Sequence, residues 1–198
     1  TNEATFRILV GDPGKWRFKY VRVPDVAPSP IVGSWKLAPK AGALWVGNVA
    51  PVDESAQWWA SDDSTATTRA CLFDDVLTFG ADGSVSIDMG DETWLEPWQV
   101  GAEQCGAPMS PHDGLNDGSY VYDEDAGTLT VNGQGTFVGL PKVYNGGEIG
   151  AEGDPLQTPG EAPSSITYDV ELSEDTNEAT FRILVGDPGK WRFEYVRM

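Results

Sequence analysis

The sequence predicts an all-β domain, a barrel or sandwich of antiparallel strands. Apolar residues alternate with polar ones through most of the chain, as expected of strands that bury one face. Turn sequences such as ADGS at 81–84 and DEDAG at 123–127 punctuate the alternating runs. No stretch of ten residues shows a convincing 3.6 period, apart from a weak trace around 53–60. About nine strands joined by tight turns suit a barrel or sandwich and little else.

Strands are expected in order at 31–37, 70–79, 84–89, 118–122, 128–132, 135–140 and 166–172, followed by a closing hairpin. In that hairpin Phe181, Ile183 and Val185 alternate with Thr180, Arg182 and Leu184. After the turn GDPGK, Trp191, Phe193 and Tyr195 alternate with Arg192, Glu194 and Val196. Gly/Pro-rich insertions at 38–68, 96–117 and 141–165 interrupt the meander and are expected to lie over one end of it.

The closing hairpin occurs twice. Residues 1–22 and 176–197 agree at 21 of 22 positions with an offset of 175, differing only at Lys19 and Glu194. That difference falls on the non-aromatic face, read here as a solvent position. A period so far above the 20–50 residues of solenoid repeats implies self-contained domains in tandem. The division expected is residues 1–22 as the closing hairpin of a preceding unit, 23–30 (VPDVAPSP) as a short stiff linker, and 31–198 as one unit. A partial internal duplication or an engineered overlap is the alternative. The chain begins without Met and shows no signal peptide, which reads as a mature or excised piece.

Composition narrows the partners. Thirteen basic residues against 31 acidic ones give a net charge of −18 in 198 residues. Such a field repels nucleic-acid backbones and anionic lipid surfaces, so neither partner is expected. No apolar run approaches the ~20 residues of a membrane helix, so no membrane insertion is expected.

Several motifs together resemble a known family. They are GSWKL at 33–37, C-x-F-D-D-x-x-x-F-x-x-D-G from Cys71 to Gly83, the hairpin from Tyr122 to Val131, and W-R-F-x-Y-V from Trp191 to Val196. This set resembles the lipocalin-like domains of secreted bacterial surface proteins. WKLAPKAGALWVG and DETWLEPW also look like modules found beside polysaccharide-degrading domains in such bacteria. The resemblance implies an up-and-down antiparallel barrel, GSWKL strand first and repeated hairpin last, to which this sequence adds long Trp-rich loop insertions. The insertions depart from the plain lipocalin pattern.

Cys71 and Cys105 are the only cysteines. In a secreted β-domain an even pair reads as one disulfide, with two unrelated buried thiols as the alternative. Eight Trp are present. Trp16, Trp35 and Trp191 fall in strands and read as core. Trp45, Trp58, Trp59, Trp94 and Trp98 fall in or beside the insertions, with Tyr144 in another. Indoles beside carboxylates suit sugar rings, whose apolar faces stack while their hydroxyls bond to acids; pinning down long loops is the alternative role.

Catalysis finds little support. Asp91, Glu92 and Glu96 are the best local carboxylates for glycosidase work, but they match no hydrolase motif. His112 is the only histidine, with no nucleophile elbow in the chain. No cofactor is expected beyond Ca²⁺, for which Asp113, Asn116 and Asp117, or Asp123 and Asp125, offer oxygen ligands; turn chemistry alone also accounts for them.

The expectation is a non-catalytic, secreted or cell-surface tandem-repeat unit of an adhesin, stalk or filament, with a glycan-contacting loop face. The alternative is a carbohydrate-binding module of a secreted polysaccharide-degrading enzyme; a lipocalin-type carrier of a small apolar ligand is a weaker third. Partners are then neighbouring copies, head to tail, and polysaccharide. Because one barrel has one closing slot, the second hairpin would bare Phe6, Ile8, Trp16, Phe18 and Tyr20. A neighbouring copy is expected to capture it, building an open filament.

Overall fold

The computed structural model describes residues 3–9, 15–21, 28–48, 56–186 and 189–198. In chain order the strands are β1 (Glu3–Leu9), β2 (Lys15–Val21), β3 (Gly33–Leu37), β4 (Leu44–Asn48), β5 (Gln57–Ala60), β6 (Val76–Phe79), β7 (Ser84–Asp88) and β8 (Thr93–Leu95). They continue as β9 (Gln104–Gly106), β10 (Gly118–Asp123), β11 (Thr128–Asn132), β12 (Val143–Tyr144), β13 (Gly147–Glu148), β14 (Ser165–Leu172), β15 (Glu178–Leu184) and β16 (Gly189–Arg197). Three helical turns, α1 (Thr65–Thr68), α2 (Ala70–Phe73) and α3 (Pro97–Val100), complete the elements used below.

Eight of these strands close an antiparallel barrel. The ring runs β3–β6–β7–β10–β11–β14–β15–β16 and shuts where β16 pairs with β3. The alternation read from the sequence is what makes this possible: β14 buries every second residue, as do β11 and β15. Trp35, Phe79, Leu129, Tyr168, Phe181 and Phe193 are each at most 1% exposed and fill the interior. Burying each such side chain is worth roughly 1.5–3 kcal/mol or more, so the packed interior is the main stabilising term.

β16 holds the ring together because it is long enough for two neighbours on one edge. Its first half, Gly189 to Phe193, pairs with β4, and its last residues, Tyr195 to Arg197, pair with β3. β5 then extends the sheet beyond β4. Insertion 38–68 therefore adds strands to the sheet, whereas it was expected to cover an end.

Other expectations need correction. Residues 70–73 form a helical turn ahead of β6, so the strand expected at 70–79 is four residues long. Segment 135–140 is not a strand; it is irregular, with Gly135 and Gly139 at positive φ. It plugs the barrel instead. The backbone N–H of Val138 donates to the Tyr168 hydroxyl and that of Gly139 to the Tyr195 hydroxyl, both at 3.0 Å. Glycine is needed at 139, since a Cβ there would strike the Phe193 ring. The trace of helical period at 53–60 resolves into β5; its first residues, 53–55, lie outside the described residues. Residues 11–14 and 187–188 of the two GDPGK turns, and residues 23–27 of the expected linker, lie outside them as well.

The disulfide forms as expected. Cys71 on α2 is bonded to Cys105 on β9. It ties the approach to β6 to the 96–117 insertion. No helix among the described residues is long and apolar enough to cross a membrane.

Candidate functional site

The two copies of the repeated hairpin share one geometry and have opposite surroundings. In β1–β2 the register runs Glu3↔Val21, Phe6↔Phe18, Ile8↔Trp16. In β15–β16 it runs Glu178↔Val196, Phe181↔Phe193, Ile183↔Trp191, the same pairs shifted by the repeat offset. Ring packing is preserved too. Phe6 meets Tyr20 edge to face at 5.4 Å and 85°, and Phe181 meets Tyr195 at 5.4 Å and 85°. Trp16 stacks on Phe18 at 6.3 Å, and Trp191 on Phe193 at 5.7 Å.

Exposure separates them. Phe6, Ile8, Trp16, Phe18 and Tyr20 are 41–60% exposed, while Phe181, Ile183, Trp191, Phe193 and Tyr195 are at most 6% exposed. Trp16 is thus a surface residue, a correction to its reading as core; Trp35 and Trp191 are core as expected. A hairpin that keeps its aromatic face bare in water is unusual, because isolated two-stranded ribbons are marginal on their own.

The slot filled by β15–β16 is specific in its polar contacts as well. Trp191 Nε1 donates to Glu148 Oε1 at 2.7 Å, and Lys142 Nζ lies 5.4 Å over the same indole. Lys142 is also 3.3 Å from Oε2 of Glu96, a carboxylate only 1% exposed that begins α3 in a capping box with Gln99. Arg182 pairs with Glu171 at 2.9 Å. The Arg197 guanidinium stacks on Trp35 at 4.2 Å and donates to the carbonyls of Pro30 and Val32.

Glu194, the position that differs between copies, is no neutral solvent site. It accepts from Lys40 at 2.8 Å and lies 3.3 Å from Arg192. This hydrogen bond, above all, holds the Lys40 ammonium above its ordinary pKa. Lys40, Glu148 and Lys142 were not singled out from the sequence; only the Lys19/Glu194 difference pointed toward any of them.

The glycan candidates scatter. Trp45 and Trp94 are 5% and 8% exposed, so neither presents a ring face to a ligand. Trp45 lies beneath Arg192, and Arg69 stacks on Trp94 at 4.2 Å. Trp98 is half-buried beside His112; the Tyr144 hydroxyl donates to Asp154, and burial, followed by that hydrogen bond, raises its pKa to about 12. Trp58 and Trp59, on β5, are 57% and 37% exposed. Trp59 is propped by Arg69 at 5.5 Å and by Trp191 at 6.3 Å.

The carboxylate and histidine candidates do not converge either. Glu96 is buried against Lys142, while Asp91 and Glu92 are exposed on the rim of a groove of about 740 Å³ beside the disulfide. His112 packs between Trp98 and Phe137, and burial lowers its pKa to about 4. Asp113 and Asp123 accept turn N–H groups, and the Asn116 amide donates to the carbonyls of Pro111 and Gln134. Asp117 and Asp125 are exposed. Among the described residues no three His, Cys, Asp or Glu side chains gather as a metal site.

Asp75, part of the Cys71–Gly83 motif but not singled out there as a site residue, is the most perturbed carboxyl among the described residues. Burial raises its pKa to about 7, although Thr93 donates to it at 2.7 Å. It borders a cavity of about 10 Å³ with Phe137, Gly139 and Tyr195, room for about one water. A carried ligand would need roughly 300 Å³ or more. Comparison of the chain with protein-family models, with curated proteins and with solved structures gave no match, so its function is read from its own residues.

Proposed function

We propose that this chain is a unit of a non-catalytic extracellular tandem array, a stalk, filament or surface adhesin, preceded by the closing hairpin of the unit before it. The observation that carries this reading is a bare hairpin identical in register to one that closes a barrel. In such an array every barrel keeps its own hairpin, and the aromatic face of residues 1–22 is covered by the unit to which it belongs.

Counting refines the head-to-tail expectation. Each copy of this chain has one slot and two hairpins, so trading hairpins between copies leaves as many bare faces as before. Capture therefore requires a barrel without its own hairpin, which is what the preceding unit supplies. The disulfide suits an oxidising location, and the closed eight-stranded ring with its aromatic-filled interior suits a lipocalin-like ancestry. Electron microscopy of the natural polypeptide tests the reading. A string of equal beads is expected; one barrel attached to a large catalytic domain would contradict it.

A carbohydrate-binding module is the second reading, favoured by Trp58 and Trp59 on the last strand of the sheet. These two indoles are the part of the glycan hypothesis that remains open to solvent.

A further inference from the structure

We infer that hairpin β1–β2 is a second closing hairpin for this chain's own barrel, competent to replace β15–β16 between β14 on one side and β3 and β4 on the other. The inference rests on register and chain length, so it stands apart from the array reading; a lone duplicated hairpin would behave the same way.

Nearly every contact that seats β15–β16 has its donor or ring in the first copy. β14 pairs with β15 from Asp169↔Arg182 to Leu172↔Ala179, and Arg7, Phe6, Thr5 and Ala4 repeat that edge. Trp16 repeats the indole that Glu148 accepts from, and Tyr20 the hydroxyl that receives the Gly139 N–H. Arg7 repeats the guanidinium paired with Glu171.

The chain can also reach. β16 ends beside the start of β3, with Arg197 opposite Trp35 and the Met198 N–H donating to the Ser34 carbonyl at 2.9 Å. With β2 in that place, Arg22 would lie opposite Trp35, and ten residues, 23–32, would return the chain to Gly33. Hairpin connections commonly take ~2–5 residues, so this link is ample. The result is a barrel cut at a different point in its ring: the hairpin would enter from the N-terminal side, and β15–β16 would become the bare one.

One position is not reproduced. Lys19 would stand where Glu194 accepts from Lys40, beside Arg17 in place of Arg192. Two lysines and an arginine would then share a site that now holds an ion pair. This charge difference selects β15–β16 in the present chain.

The test uses the full chain with aspartate placed at the equivalent core positions: Phe6→Asp, Phe181→Asp, and both together. Phe181 is fully buried, so a carboxylate there cannot be tolerated in the slot. Phe181→Asp is expected to keep a cooperative thermal transition while trypsin cleavage moves from Arg7 and Arg17 to Arg182 and Arg192. The ratio of cutting at the two ends should invert by more than about 100-fold. Phe6→Asp should behave as wild type, and the double variant should lose the transition. Sedimentation of Phe181→Asp as a monomer places the exchange within one chain. The inference is overturned if Phe181→Asp unfolds as fully as the double variant, if it stays folded with cleavage still at Arg7 and Arg17, or if it sediments as a dimer.

Discussion

Lys40 Nζ sits 2.8 Å from a Glu194 carboxylate oxygen, at the one position where the two hairpins differ. The Lys40 side chain is 49% exposed, so the pair by itself is worth about 1 kcal/mol or less. That small figure matters because the competing hairpin matches the other 21 positions. A weak ion pair can tip such an equilibrium because the packing terms of the matched residues are the same for both hairpins.

Lys40→Glu should therefore reverse the preference. The new carboxylate would repel Glu194 and attract Lys19, shifting the choice of hairpin by up to about tenfold, within what an exposed pair can supply on each side. Limited trypsinolysis followed by mass spectrometry would read it as less cutting at Arg17 and more at Arg192. No change in the ratio would show that charge plays no part in the choice.

Two buried titratable groups flank Phe137 and oppose each other. Asp75 has its folded pKa raised to about 7, so its contribution to stability falls as pH rises from about 4 to 7, while only the unfolded state ionises. His112 has its folded pKa lowered to about 4, so its contribution is present above about 6.5 and is lost as pH falls toward 4. At about 1.36 kcal/mol per pKa unit these amount to at most about 4 and 3 kcal/mol. Relative to wild type, Asp75→Asn should gain stability as pH rises through that window, and His112→Phe should lose it. Urea titrations at four pH values would measure both slopes; equal slopes in the two variants would refute the assignment.

Cys71 and Cys105 close a loop with a sequence separation of 34. Replacing both with serine should lower stability by about 3–4 kcal/mol. Thiol titration of the unfolded, unreduced protein should find none, and two free thiols would contradict the bridge and the oxidising location drawn from it.

Trp58 and Trp94 should separate binding from packing. Trp58→Ala is expected to weaken binding of a soluble polysaccharide with little change in unfolding temperature, because the ring is 57% exposed. Trp94→Ala should cost about 3–5 kcal/mol of stability, as for other buried aromatics. Isothermal titration beside thermal melts would measure both. A Trp58→Ala variant with unchanged binding removes the glycan face.

Much of the barrel was legible in the sequence, for a physical reason. β11, β14 and β15 alternate cleanly, as does β16 from Trp191 to Val196, and alternation is the one local signal of a strand with a wet face and a dry face. β4 carries no such signal, since four of its five residues are buried, and its sequence reads as part of an insertion. Segment 135–140 looked like a strand because it is apolar, yet its residues are buried as a plug held by Tyr168 and Tyr195. α2 is a single turn, too short to show a helical period. The hairpin site was visible as a repeat, but its selectivity was not: Lys40 is remote in sequence from Glu194, and only folding brings them together.

On the proposed reading, residues 1–22 are a closing hairpin whose aromatic face belongs inside a barrel. A chain extended at its N-terminus by a second copy of residues 23–175 supplies that barrel, and trypsin cleavage at Arg17 reports whether it is used. Cleavage slowed by about 100-fold or more is expected, since the site moves from an exposed ribbon into a core strand. Cleavage at Arg17 as fast as in the single-barrel chain would contradict it.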